Sequence, residues 1–471
     1  MIPLEIVLPQ GRVQGRDLGT MCFYGGMPYA KAPFGENRFQ APQPPAAWIG
    51  VRDATQFGPV PPQAPRELDD GQSLVGAEDC LTVNVLTQAQ GGDKLPVLLW
   101  IPGNGFMGGG AADEIYNGAQ FVRHGIVFVS INYRMGIDGF MQFPDVLNNR
   151  GLLDQIMAIE WVLENISLFG GDPDQITVGG DSAGSASICH LLGLETLKGK
   201  LKRAVLHSPS VASQTVQEAV LTRLAVASLL DLPPSLEALR EVPLAQMTQL
   251  LARLQTDARL RSEVGISARS FCPVGLVVDG DLVKAPPLEQ LERSWSLPGW
   301  PVPNLLIGAN AEEMNFYLVP GGEIDRVDDV RLEAFVRAAH LKGVPFKEWR
   351  QRMPEATPGE LLAAIQSAYY YHGPAREIAL LAARHGASAW HYNFAWRSMQ
   401  AQGRMGAAHG MELPFAFDNL AAKEAVERTG PDAPQSLARI MHASWVSFVL
   451  GREPAGWPRA LVDSPSTRRF S

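Results

Sequence analysis

Residues 176–187 read ITVGGDSAGSAS, and this segment constrains the fold more than any other. An apolar run of strand length ends at Gly179, and a stretch of small residues follows that runs on into the helical pattern ASICHLLGL. Inside it, Gly180-Asp181-Ser182-Ala183-Gly184 spells G-x-S-x-G. A strand, a sharp turn and a helix around that pattern form the context of a nucleophile elbow. The turn is tight, so the neighbours of the serine must be small. Such a turn lifts the Ser182 hydroxyl above the carboxyl edge of the sheet and aims the next helix's N-terminus at the reacting centre. G-x-S-x-G alone is also met as an ordinary Gly/Ser turn; the strand before it and the helix after it select the nucleophile.

The rest of the chain supplies the sheet that this turn needs. From Leu95 onward, apolar runs alternate with helical stretches. VLLWI at 97–101, IVFVSIN at 126–132, ITVGG at 176–180, RAVLHS at 203–208, NLLIGAN at 304–310 and WHYNFAW at 390–396 read as buried strands. The segment 151–166, GLLDQIMAIEWVLENI, is apolar at helical spacing. Alternation of this kind predicts an α/β fold, a mostly parallel twisted sheet with helices on both faces. Two long helical insertions, near 211–300 and 317–388, are expected to wall a pocket. The first 75 residues or so are rich in Pro and Gly and read as ordered loop and short strand. With no internal repeat and no linker, residues 1–471 are expected to form a single domain.

Composition excludes several functions. The net charge of −9 argues against a nucleic-acid or anionic-membrane partner. No apolar run reaches membrane-spanning length. The opening MIPLEIVLPQGRVQGRD has no basic stretch followed by a long apolar one, so a cytoplasmic chain is expected, with secretion by a trimmed signal left open. Cys22, Cys80, Cys189 and Cys272 are too few and too scattered for a disulfide scaffold or a zinc cluster. No cofactor and no metal are expected.

Several motifs in order carry a resemblance. They are GGMPYAKAPFGENRFQAPQPPAAW at 25–48, AEDCLTVNV at 77–85, the block 152–184, AHGMELPFAF at 408–417, and the closing WVSFVLGREP with WP beyond it. Together they resemble the type-B carboxylesterase and cholinesterase family over nearly the whole chain. The resemblance implies the α/β-hydrolase fold and hydrolysis of a small or medium-sized organic ester through an acyl-serine intermediate.

A serine hydroxyl needs a general base within hydrogen-bond reach, and the base needs an orienting carboxylate. In this fold the chain order is serine, acid, histidine. His409 fits by order and by its match to the family's histidine segment. The acid lies in IGANAEEMNFY, where Glu312-Glu313-Met314 stands where the family has Asp-Glu-Gly. That correspondence selects Glu313, with Glu312 as the competitor. The oxyanion hole is expected from the backbone N–H groups of Ala183, Asn104 and Gly105. The family usually has three consecutive glycines in the loop that reads Pro102-Gly103-Asn104-Gly105-Phe106 here. The Asn104 side chain would crowd the alcohol side, add an amide donor, or spoil the hole.

Other residues read as scaffold. By family correspondence Arg38 pairs with Glu78, and Arg134 with Asp154. Cys80 matches a cysteine that often forms a disulfide, but Pro61 stands where its partner would be, so no bridge is expected. His190 and the tyrosines 369–371 read as packing, and Asp181 as a structural hydrogen-bonding residue. His207 is a weaker candidate to face the site. Two other functions compete with ester hydrolysis: an acyl-transfer or cyclisation enzyme on the same scaffold, and a non-catalytic recognition module. The sequence says nothing of oligomeric state.

Overall fold

The apolar runs read as strands all enter one sheet, as Leu95–Ile101, Val127–Ile131, Gly171–Asp181, Arg203–His207, Asn304–Asn310 and Ala389–Phe394. The structure, a computed structural model, describes residues 4–65, 74–88, 92–211, 213–266, 272–339 and 346–471. Among these the sheet has ten strands. Their spatial order is Arg468–Phe470, Ala389–Phe394, Asn304–Asn310, Arg203–His207, Gly171–Asp181, Leu95–Ile101, Val127–Ile131, Thr82–Thr87, Cys22–Pro28 and Arg16–Asp17. From Arg468–Phe470 to Val127–Ile131 every neighbouring pair is parallel. Thr82–Thr87 and the strands beyond it pair antiparallel. This is the α/β-hydrolase fold, and the Pro/Gly-rich N-terminal part supplies its antiparallel edge.

Both faces of the sheet are covered, which is why its strands are apolar without a break. The period of two still sorts the side chains. Val97, Leu99 and Ile101 enter the core beneath helix Arg150–Asn165, with its Leu152, Ile159 and Val162. Leu98 and Trp100 point the other way, into the core that holds Met441, Trp445 and Phe448 of helix Gln435–Val449.

One buried ion pair agrees with expectation and the other is corrected. Arg134 grips Asp154 with two side-chain bonds, Nη2 to Oδ1 at 2.6 Å and Nε to Oδ2 at 2.8 Å, and both side chains are buried. Arg38, in contrast, does not meet Glu78, which is exposed. Its Nε donates to Asp138 Oδ1 at 2.7 Å, and its Nη1 donates to the carbonyls of Arg240 and Val242. A guanidinium is a fork with five donors. Asp138, on the short helix Gly136–Phe140, and two carbonyls from the first insertion take three bonds from Nε and Nη1 in the interior, where the exposed Glu78 takes none, and the buried Nη2 has no partner among the described residues. Cys22, Cys80 and Cys189 are buried, Cys272 is partly exposed, and all four are free. Among the described residues no helix is long and apolar enough to cross a membrane.

Candidate active site

Strand Gly171–Asp181 ends one residue before Ser182, which starts helix Ala183–Leu191 with φ 52° and ψ −118°. A non-glycine residue at positive φ is strained, and the surroundings must hold it there. The Ser182 N–H donates to the His207 carbonyl at 2.8 Å, and its own carbonyl accepts from Ala186 N–H at 2.8 Å. Both glycines of the motif are needed because the elbow packs on strand Leu95–Ile101. A Cβ on Gly180 would stand 2.8 Å from the Ile101 carbonyl oxygen, and one on Gly184 would collide with it.

His409 and Glu313 meet across 96 positions of chain, with Nδ1 2.5 Å from Oε2. The other oxygen of Glu313 accepts from Ser208 Oγ at 2.6 Å and from Asn310 N–H at 2.7 Å. The carboxylate is therefore held on both sides and is wholly buried. Burial pulls His409 down, but the Glu313 carboxylate, with Glu412 and Asp181 behind it, outweighs burial and raises it above the ordinary histidine value. The rings of Tyr371 and Tyr317 lie 4.8 Å and 5.5 Å from the imidazole. Glu312, the competing acid, faces elsewhere. It pairs with Arg397 and accepts from Ala407 N–H at 2.9 Å.

Beneath His409 lies a buried network that sequence reasoning did not assemble. Trp445 Nε1–H donates to His207 Nε2 at 2.8 Å. That nitrogen is therefore the acceptor, and the ring proton sits on Nδ1, 3.1 Å from Glu412 Oε1 and 3.0 Å from the Tyr392 hydroxyl. The second oxygen of Glu412 accepts from Asn310 Nδ2, which also donates to the Ala408 carbonyl at 2.7 Å. Burial would raise Glu412, but its bonds to His207 and Asn310 lower it below the usual glutamate value. His207 is thus a support for the histidine loop, closed off from the cavity. His190 is packing, as read: burial lowers it to about 4 against a weak contact with Gln290.

The loop after strand Leu95–Ile101 carries Asn104, Gly105 and Phe106 at φ 65°, 63° and 63°. Asn104 thus has the left-handed backbone that asparagine tolerates best among residues with a side chain. Gly103 N–H donates to Asp181 Oδ1 at 3.1 Å, and the Tyr133 hydroxyl donates to the Pro102 carbonyl at 2.8 Å. Asp181 also bonds Tyr116, and burial raises its carboxyl despite the opposing influence of His409. The Asn104 side chain is exposed, with its amide against Gly109, where a Cβ would overlap it, and it does not line the cavity.

That cavity, about 480 Å³, opens on Ser182, Ala183, Gly105 and Phe106. Its walls come from 210–211, 213–215, the segment 272–278, Pro286, Tyr317 and Tyr369–Tyr371, and no charged side chain lines it among the described residues. The three tyrosines therefore do more than pack. They lie on a single π-turn, Ala368–His372, which turns all of them to the cavity, a widening of the helix that is often found at functional sites. The π-turn left no signal in the sequence pattern. Ser208 did leave one, since it directly follows a strand at the carboxyl edge of the sheet.

The family model described as the carboxylesterase family matches residues 3–468. The chain is 31% identical to para-nitrobenzyl esterase of Bacillus subtilis (strain 168), over 96% of this chain and 92% of that protein. It is 29% identical to fumonisin B1 esterase of Sphingopyxis macrogoltabida, over 95% of this chain and 83% of that protein. Among solved structures, carboxylesterase EST55 of Geobacillus stearothermophilus at pH 6.2 superposes with a TM-score of 0.85 and 30% identity, over 100% of this chain and 96% of that one.

Proposed function

The chain belongs to the carboxylesterase family, and from that premise we propose that it hydrolyses carboxylic esters through an acyl-enzyme on Ser182. The observation that carries the reading is the 2.5 Å contact of His409 Nδ1 with a fully buried Glu313, whose other oxygen is held by Ser208, the neighbour of the His207 carbonyl that accepts from Ser182 N–H. With the Nδ1 proton held by Glu313, Nε2 of His409 is the basic nitrogen. It takes the Ser182 proton as Oγ attacks the ester carbonyl. The carbonyl oxygen becomes an oxyanion and accepts from the backbone N–H groups of Asn104, Gly105 and Ala183. His409 then passes its proton to the alcohol oxygen, the carbon–oxygen bond breaks and the alcohol departs. Water repeats the sequence, with His409 again as base, and releases the acid and free Ser182.

The uncharged, tyrosine-lined cavity beside Ser182 suits an uncharged acyl part in an ester of small or medium size. Hydrolysis of 4-nitrophenyl acetate and butyrate tests the reading. Wild type is expected to turn over both, and Ser182→Ala to lose several orders of magnitude in kcat, as loss of a nucleophile does. Equal rates for the two proteins would overturn it. Adding methanol or an amine and analysing the products measures how far transfer competes with hydrolysis.

A further inference from the structure

Arg428 is the penultimate residue of the short helix Lys423–Thr429 and is half-buried. Its guanidinium lies over the Phe316 ring, 5.4 Å from the centroid, and Phe316 in turn packs against the His409 imidazole at 6.3 Å. Nη1 also rests on the backbone of Gly410, the residue after His409. A Cβ there would collide with it, so the glycine (φ +74°) lets the cation approach the histidine loop. The charge is felt further into the site, at the hydroxyls of Tyr116 and Tyr317, whose ionised forms it favours.

Among the described residues no carboxylate pairs with this guanidinium, although several are close in sequence or in space. Each is engaged elsewhere. Glu312 pairs with Arg397, Glu427 lies 3.7 Å from Lys423, Glu424 accepts from Ile115 N–H, and Glu412 faces His207. A planar fork of donors over an aromatic ring, next to the reacting histidine and with its carboxylate unspent, is a recognition group for an oxyanion.

The side of the site is set by the chemistry. The acyl part has the uncharged cavity, which Arg428 does not line. The leaving oxygen must take its proton from His409, so the alcohol part lies toward His409 and Gly410, where Arg428 is. We propose that Arg428 selects esters whose alcohol part carries a carboxylate. The inference rests on the hydrolase reading above and deepens it by naming the substrate class.

The test compares 4-acetoxybenzoate, with an anionic leaving group, and 4-acetoxybenzamide, its neutral counterpart, at one pH. The quantity read is the ratio of their kcat/KM values, so intrinsic reactivity cancels between proteins. Arg428→Gln is expected to lower the anionic-to-neutral ratio about tenfold, chiefly through KM. Arg428→Lys, which keeps the charge and loses the fork, is expected to fall between. In wild type, raising the salt from 0.02 to 0.5 M is expected to lower the ratio as well, roughly as screening of a half-exposed charge requires. An unchanged ratio in both variants, or a wild-type ratio indifferent to salt, overturns the role of Arg428 while the hydrolase reading stands. Turnover of neither ester by wild type overturns both.

Discussion

The Asp181 carboxylate accepts a hydrogen bond from Gly103 N–H at 3.1 Å, so the residue before Ser182 tethers the loop that carries Asn104 and Gly105. The proposed nucleophile and two of the proposed oxyanion donors are thereby held by one side chain. Preorganised donors are often the largest catalytic contribution, and their value depends on staying in place. Asp181→Ala is expected to lower kcat by roughly ten- to a hundredfold. Asp181→Asn keeps an oxygen acceptor and is expected to lose much less. Steady-state kinetics of the two variants check this, and equal losses would contradict the tether.

The acid assignment separates cleanly by mutation. Glu313→Gln is expected to cost about a thousand- to ten-thousandfold in kcat, because the amide no longer holds the right tautomer of His409. Glu312→Gln breaks the pair with Arg397 but keeps a side-chain oxygen for the Ala407 N–H, and is expected to stay within about tenfold of wild type. The reverse order would make Glu312 the acid.

The same contact sets the pH dependence. In the proposed mechanism His409 must be unprotonated to act as base, so kcat/KM is expected to rise with pH through its pKa. The Glu313 carboxylate raises that pKa against burial, so the inflection lies above the ordinary histidine value. Removing the charge in Glu313→Gln leaves burial, which lowers it, and the inflection of the residual activity is expected to move to lower pH. A pH–rate profile of the variant that moves upward would contradict the electrostatic account.

How far the sequence revealed these features follows from how local each one is. The strand and turn around Ser182 were legible because a tight turn demands small residues at neighbouring positions, and strand Asn304–Asn310 coincided with its apolar run. His409 and Glu313 come from family correspondence, since nothing in the sequence between them, 96 positions apart, reveals that they touch. Arg38 was paired with Glu78 by the same route, yet the structure seats it on Asp138 and two carbonyls. The network of His207, Glu412, Tyr392 and Trp445 joins four distant segments. Only folding brings such residues together, so no spacing could disclose them.

Asn104 illustrates the limit from the other direction. Its departure from glycine was visible, but the direction of its side chain was not. Crowding of the alcohol side was one expectation; the side chain is exposed, its amide lies against Gly109, and it stands outside the lining of the acyl cavity. Asn104→Gly is expected to retain activity within about threefold, alike on ethyl esters and on esters of branched alcohols, because the proposed donor belongs to the main chain. A selective gain on branched esters would support the crowding account, and a uniform loss of about a hundredfold would make the amide itself a donor.

The buried pair of Arg134 and Asp154 bears on stability alone. Asp154→Ala leaves a guanidinium uncompensated in the interior and is expected to cost on the order of 3–5 kcal/mol. Glu78→Ala, at an exposed position, is expected to change stability by less than about 0.5 kcal/mol. Urea denaturation of both variants measures the contrast, and comparable midpoints would contradict it.

The central claim is that Ser182 is the nucleophile, and covalent capture tests it most directly. Wild type is treated with a fluorophosphonate, and the adduct is weighed in the intact protein and mapped by peptide mass spectrometry. One adduct on the peptide that contains Ser182, absent from Ser182→Ala, is the expected result. Labelling of Ser182→Ala at the wild-type rate, or a folded wild type that takes no label, would contradict it.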